Sequence, residues 1–227
     1  SGGVAVLARL VCRSDRVAGD ATLASLPAPR DDRVLNMTDH ANALYDRWAP
    51  VYPATPHNPL MVAEHRAMTA RLLRLDRPTS ALDAGCGTGR YAEWLRARGD
   101  RVTSLDRSMA MLARHPDPSH RVQGDLRSLP FPAGAFDLVV AGLALGEIPV
   151  LADALVELRR VLAAGGDCLY SDFHPSWSTH GWRRTFRDAA GIPARAAASL
   201  GRIPPVDARP AREACGLFGV AGVSVPN

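Results

Sequence analysis

The chain has 227 residues, 47% of them hydrophobic and 22% charged, with a formal net charge of +4. That length suits one α/β domain with extra material at its ends, and that composition excludes a disordered or fibrous chain. The 27 basic residues are all arginine and lie scattered among 23 acids, so no basic run interleaved with aromatics offers a nucleic-acid face.

Cys12, Cys86, Cys168 and Cys215 are dispersed, with no C-x-x-C pair to announce a zinc site or a disulfide framework, and reduced thiols in the cytoplasm are the expectation. No apolar run reaches the length of about 20 residues that a spanning helix needs. The opening "SGGVAVLARLVC" lacks the basic leader and cleavage pattern of a signal peptide.

Residues 1–36 show no sustained period and read as an N-terminal extension with no assignable order. From Met37 onward a single domain, 37–227, is expected: lid helices over 37–78, a core over 79–173 and an atypical tail over 174–227. "HNPLMVAEHRAMTARLLRL" carries apolar residues at 60, 61, 68, 72, 73 and 75 and opens with Asn58-Pro59, a helix start. "SALDAG" reads as a short buried strand, "RYAEWLRARG" as a helix closed by Gly99, and "RVTSLD" as a second strand. "SMAMLARH" is helical and stops at Pro116, "HRVQGD" is a third strand, and "FDLVVAGLAL" is a fourth with an unbroken apolar run. "LADALVELRRVLAAGG" is an amphipathic helix ending in glycines, and "DCLYSDF" is the fifth strand. Strands alternating with helices imply a doubly wound α/β fold with a mostly parallel sheet.

The tail breaks this rhythm. "STHGWRRTFRDAAG" is read as holding a helical turn, with one helix near Ala211 to Cys215 and one weak strand near the end. Prolines and arginines in "GRIPPVDARPAR" stand where a central strand needs donors and apolar side chains. The C-terminal part is therefore expected to be incomplete. The tail would pack irregularly along the edge of the fifth strand, or a second copy of the chain would complete the sheet as a homodimer.

"LDAGCGTGRY", residues 82–91, sets Gly85, Gly87 and Gly89 behind Asp83 at the carboxyl end of the first strand, where ligands of open α/β sheets bind. Glycines there permit a tight turn and close approach of a ligand to main chain. Gly87-x-Gly89 followed by Ala92 partly matches a dinucleotide fingerprint, which keeps a nicotinamide dehydrogenase in view. Asp83 argues against it: a carboxylate there repels a pyrophosphate and favours a ligand with a cationic end.

The stretch "LDAGCGTGRY" resembles the first motif of class I S-adenosylmethionine-dependent methyltransferases, and the motifs after it agree in order. "VTSLDRSMAML" is similar to the second strand ending in a ribose-binding acid, which maps to Asp106 with Arg107 and Met109 beside it. "QGDLRSLPF" resembles the element whose aspartate contacts the adenine amino group, giving Asp125 between Gly124 and Leu126. "FDLVVAGLAL", with Ala141, and "ELRRVLAAGGDCLYSDF" resemble the fourth and fifth strands, with Ala164 where a proline is usual. The resemblance covers roughly residues 40–175 and is strongest toward the small-molecule type that includes ubiquinone-pathway and malonyl-carrier-protein methyltransferases. It implies S-adenosylmethionine as cofactor and a small-molecule substrate, free or carrier-protein-bound. Tyr45, Trp48 and Tyr52 follow the family's N-terminal lid, and Cys86 with Thr88 fills the glycine turn.

The resemblance implies methyl transfer to a small organic acceptor, on oxygen. The element after the fourth strand, "AGLALGEI", offers no proline-fixed aromatic for stacking a base, so nucleic acid falls away as substrate. Glu147 alone is too few carboxylates for a divalent metal, and no metal is expected. Many small-molecule relatives carry histidine at the Gly146 position, which leaves Glu147 and His174, in "SDFHPSW", as the candidate proton acceptors. A second reading from a different class stays open: a methyltransferase-like protein that binds the cofactor or a small ligand without methyl transfer, as a cyclase or an interaction protein.

Overall fold

A computed structural model describes residues 5–11, 42–75, 80–149, 151–173, 185–195 and 217–223. The centre is a seven-stranded sheet in the order β4-β3-β2-β5-β6-β1-β9. Its parallel part consists of β2 (Ser80–Ala84), β3 (Arg101–Asp106), β4 (Arg121–Gln123), β5 (Phe136–Gly142) and β6 (Leu162–Phe173). These are the five strands read from the sequence, except that β6 begins five residues earlier: the "LAAGG" read as the end of the preceding helix is strand, pairing Leu162 with Phe136.

Period-2 alternation assigns each strand two buried faces. Leu82, Val139, Ala141, Cys168 and Tyr170 join one cluster, which holds Leu155 and Leu158 of helix α5 (Leu151–Val161). Ala81, Leu138, Val140 and Leu169 face the opposite way, toward Met68 and Leu72 of α2 (Pro59–Leu72) and Leu95 of α3 (Arg90–Ala97). A one-residue slip would exchange these sets, so the apolar pattern fixes the register. α2 starts where Asn58 predicts: its side chain accepts from the amide of Met61 at 2.9 Å, and Pro59 supplies the first helical residue. α4 (Met109–Ala113) is capped in the same way by Ser108.

The sequence reading needs correction at both ends of the chain. β1 (Ala5–Val11), inside the stretch given no order, lies antiparallel on β6 in a register running from Ala5 opposite Phe173 to Val11 opposite Asp167. β9 (Leu217–Val223) pairs antiparallel with the other side of β1. The edge of the fifth core strand is therefore covered by the chain's own N-terminal segment, and the reason for expecting a second copy there is removed. Among the described residues the tail adds β9 alone to the sheet, which matches the weak terminal strand of the sequence reading. The helix expected near residues 211–215 lies outside the described residues.

In the stretch 178–191, read as holding a helical turn, the described residues 185–191 instead belong to a hairpin, β7 (Thr185–Arg187) with β8 (Pro193–Arg195), and residues 178–184 lie outside the described residues. Asp188 closes it, accepting from the amides of Ala190 and Ile192. Among the described residues, two short helices precede α2: α1 over 42–48 and a 3-10 turn over Ala49–Val51. Among the described residues no helix is long and apolar enough to cross a membrane.

Candidate active site

A cavity of about 310 Å³ opens at the carboxyl ends of β2, β3, β4 and β5 and is roofed by α1 and the start of α2. Of the residues singled out in the sequence, Tyr45, Tyr52, Asp83, Gly85, Cys86, Gly87, Asp106, Arg107, Gly124, Asp125, Leu126 and Glu147 line it together. Two shift. Met109 is the first residue of α4 and 55% exposed, while Met111, turned inward on the same helix, lines the cavity. Ala141 points into the core beneath, and the next residue, Gly142, takes the wall position because side chains alternate along β5. His174 lies outside the described residues.

The three glycines of the turn all have left-handed backbone, and each is needed for a different reason. A Cβ on Gly85 would fall 2.5 Å from the Cβ of Ala144, and one on Gly89 would fall 2.5 Å from the buried ring of His115. Gly87 has no atom within 4 Å of a would-be Cβ. Gly85 and Gly89 are thus packing glycines, whereas Gly87 bounds open space that a ligand can fill.

Carboxylates ring that turn. Asp83 is buried and accepts from the amide of Ala92 at 2.8 Å, tying β2 to α3, and burial pushes its carboxyl up to about 7. Asp106 takes the amide of Gly87 on Oδ2 at 2.7 Å and that of Ser108 on Oδ1 at 2.8 Å. Burial raises Asp106 against those two bonds. The Arg107 amide adds a third backbone bond to this carboxylate. Burial would also raise Asp125, but bonds from the Arg127 guanidinium, with Arg107 at 3.7 Å, hold it below the ordinary value. Burial drives the Cys86 thiol far above its usual range, which disfavours the thiolate that a nucleophile needs.

The roof is docked by polar contacts and aromatic stacking. Ser108 Oγ donates to Asp46 at 2.5 Å, Arg114 donates to the carbonyl of Ala49, and Arg47 pairs with Asp188 of the hairpin at 2.6 Å. Trp48 stacks on Phe186 with centroids 4.5 Å apart and meets Tyr52 edge-on at 4.6 Å. The hairpin, invisible as such in the sequence, therefore holds α1 down, and its Thr185 joins the wall.

Across the cavity, the Tyr45 hydroxyl donates to Glu147 Oε1 at 3.1 Å. Glu147 ends a 3-10 turn, Leu145–Glu147, that follows β5. Before it, Leu143 holds φ at 59°, a left-handed conformation unusual for leucine, secured by its amide on the carbonyl of Ser171 at 2.9 Å. A Cβ on Gly146 would lie 2.6 Å from Oδ1 of buried Asp172, so a side chain there would require that carboxylate to move. Sequence reading also missed Glu64, fully buried on α2, where an acid inside an apolar helix face was the available signal.

Residues 82–170 match the model of a methyltransferase domain. A demethylmenaquinone methyltransferase of Listeria welshimeri is 30% identical over 170 residues, 69% of this chain and 69% of the relative. A malonyl-acyl-carrier-protein O-methyltransferase of Enterobacter lignolyticus is 40% identical over 127 residues, 55% of this chain. The chain spans about half of that relative's length, 49%. A solved S-adenosylmethionine-dependent methyltransferase from Mesorhizobium loti is 29% identical, with a TM-score of 0.49, over 61% of this chain and 66% of that one. The chain belongs to the class I S-adenosylmethionine-dependent methyltransferases, of the small-molecule type. The cavity has room and polar lining for their cofactor: Gly87 bounds open space, and the carboxylates of Asp83 and Asp106 line it. Among the described residues no group of three or more His, Cys, Asp and Glu could hold a metal.

Proposed function

We propose that the protein transfers the methyl group of S-adenosylmethionine to a small organic acceptor, free or carrier-protein-bound, on oxygen, and that it works in the cytoplasm. The observation that carries this is the hydrogen-bonded pair Tyr45 and Glu147 across the cavity from the glycine turn. Bound S-adenosylmethionine supplies an electrophilic methyl on a sulfonium. The chain's own task is orientation and exclusion of water, which can lower a barrier by up to about 7–11 kcal/mol in favourable systems. Gly87 and Asp106 hold one end of the cavity, the aromatic roof of Trp48 and Tyr52 keeps water out, and Glu147 receives the proton of a hydroxyl acceptor. A second contribution to proton removal is assigned to His174.

The relatives named above act on a malonyl carboxyl group and on demethylmenaquinone, and either chemistry would come to this chain only through its own cavity. The space that Asp172 denies to a base at Gly146 supports the second reading, a ligand-binding protein without methyl transfer. Incubation with methyl-labelled S-adenosylmethionine and an acceptor panel separates the two. Labelled ether or ester together with S-adenosylhomocysteine supports the enzyme, and tight cofactor binding with no label in any product supports the other.

A further inference from the structure

We infer that Glu64 is the positioning residue of the cavity, setting three of its walls from one buried carboxylate. This rests on the reading of the cavity as the cofactor site. Glu64 has no exposed surface. Its Oε2 takes Arg90 Nη1 at 2.8 Å, and its Oε1 takes the Tyr91 hydroxyl at 2.7 Å and Ser171 Oγ at 2.5 Å.

Each of those three partners leads to a different wall. Arg90 is the first residue after the glycine turn, lines the cavity itself, and lies over the Tyr91 ring at 4.4 Å. The Tyr91 ring packs so closely on Gly142, at the end of β5, that a Cβ there would overlap it. Ser171 accepts from the amide of Leu143 with both its carbonyl and its hydroxyl, at 2.9 and 3.2 Å, and so holds the strained residue that starts the Glu147 turn. Glu64 itself rides on α2, whose first turn helps to roof the site. One side chain thus ties the roof helix to the glycine turn, to the end of β5 and to the loop that carries Glu147. A buried carboxylate is retained at high desolvation cost, and removing it strands Arg90 without its counter-charge, so the geometry of all three walls depends on it.

The test measures the affinity of S-adenosylhomocysteine by calorimetry at 20 °C, together with circular dichroism and thermal unfolding. Glu64→Gln keeps an acceptor for Tyr91 and Ser171 but turns a neutral amide toward Arg90. It is expected to weaken binding at least tenfold in protein that is still folded. Met68→Ala, one turn further along the same helix and fully buried, is expected to lower the unfolding temperature while leaving affinity within twofold. Affinity of Glu64→Gln within twofold of the parent, or an equal loss in Met68→Ala, overturns the positioning role. If Glu64→Gln does not fold, Tyr91→Phe and Ser171→Ala decide: a threefold or greater weakening in each supports the proposal, and parent-like affinity in both overturns it. A parent protein that does not bind S-adenosylhomocysteine overturns the cofactor site itself.

Discussion

The amide of Gly87 donates to Oδ2 of Asp106 at 2.7 Å, so the middle of the glycine turn is fastened to the end of the neighbouring strand. At Gly87 the φ of 55° and the open space beside Cα coincide. Gly87→Val puts a branched side chain into that space and strains the backbone by about 1–2 kcal/mol. Calorimetry is expected to find no S-adenosylmethionine binding, with the fold kept by far-UV circular dichroism. Parent-like affinity would place the cofactor elsewhere.

Asp106→Ala removes an acceptor for two amides and for the expected ribose hydroxyls. Hydrogen bonds to charged groups are worth roughly 1.5–3 kcal/mol each, so cofactor affinity should fall at least tenfold. A loss below threefold would reduce Asp106 to a fastening for the Gly87 and Ser108 amides.

Asp83 makes stability depend on pH. Burial raises its carboxyl from 3.8 to about 7 in the folded protein. The folded form therefore keeps a proton that the unfolded chain releases above about pH 4. Its contribution is fully present below pH 4, declines as pH rises toward 7, and is lost above, a difference of at most about 4 kcal/mol. Asp83→Asn should flatten unfolding temperatures across pH 4–8. In the parent, binding of the cationic sulfonium favours the ionised carboxylate, so preference for S-adenosylmethionine over S-adenosylhomocysteine should grow between pH 6 and 8.

For Glu147 the expectation is kinetic. Glu147→Gln should lower turnover about 10²–10⁴-fold with an oxygen acceptor and leave cofactor affinity unchanged. Tyr45→Phe, which deletes one hydrogen bond to that carboxylate, should have a smaller effect of the same sign. Unchanged turnover in Glu147→Gln would point to an acceptor that sheds no proton, such as a carboxylate.

β1 sits between β6 and β9, with both sides of its backbone in ladders. Leu7→Pro removes a donor and distorts both pairings, and should cost well over the roughly 1 kcal/mol of a single ladder hydrogen bond. Chemical denaturation measures that loss. Light scattering should show self-association once the β6 edge is uncovered. A variant as stable as the parent would show that β1 does not complete the sheet.

The sequence by itself determined the five parallel strands, the helix start at Asn58, and the carboxylates around the glycine turn. These are local: alternation, capping side chains and strand-end spacing lie within a few residues of one another, and the backbone chemistry at each point allows few alternatives. Asp83, Gly87, Asp106 and Asp125 were legible for that reason, since strand order brings consecutive strand ends to one edge. The neighbouring choices between Met109 and Met111, and between Ala141 and Gly142, were not, because they turn on which way one side chain faces. Only the tertiary structure decided what joins residues far apart. β1 meets β6 across about 160 residues, with no feature of "AVLARLV" to name its partner. The hairpin at 185–195 is held by Trp48 and Arg47, and Glu64 finds Ser171 at a separation of 107 residues. Such contacts are fixed by burial of whole surfaces and by the need to pair every buried charge, which depend on the assembled fold and leave no mark at short range in the chain.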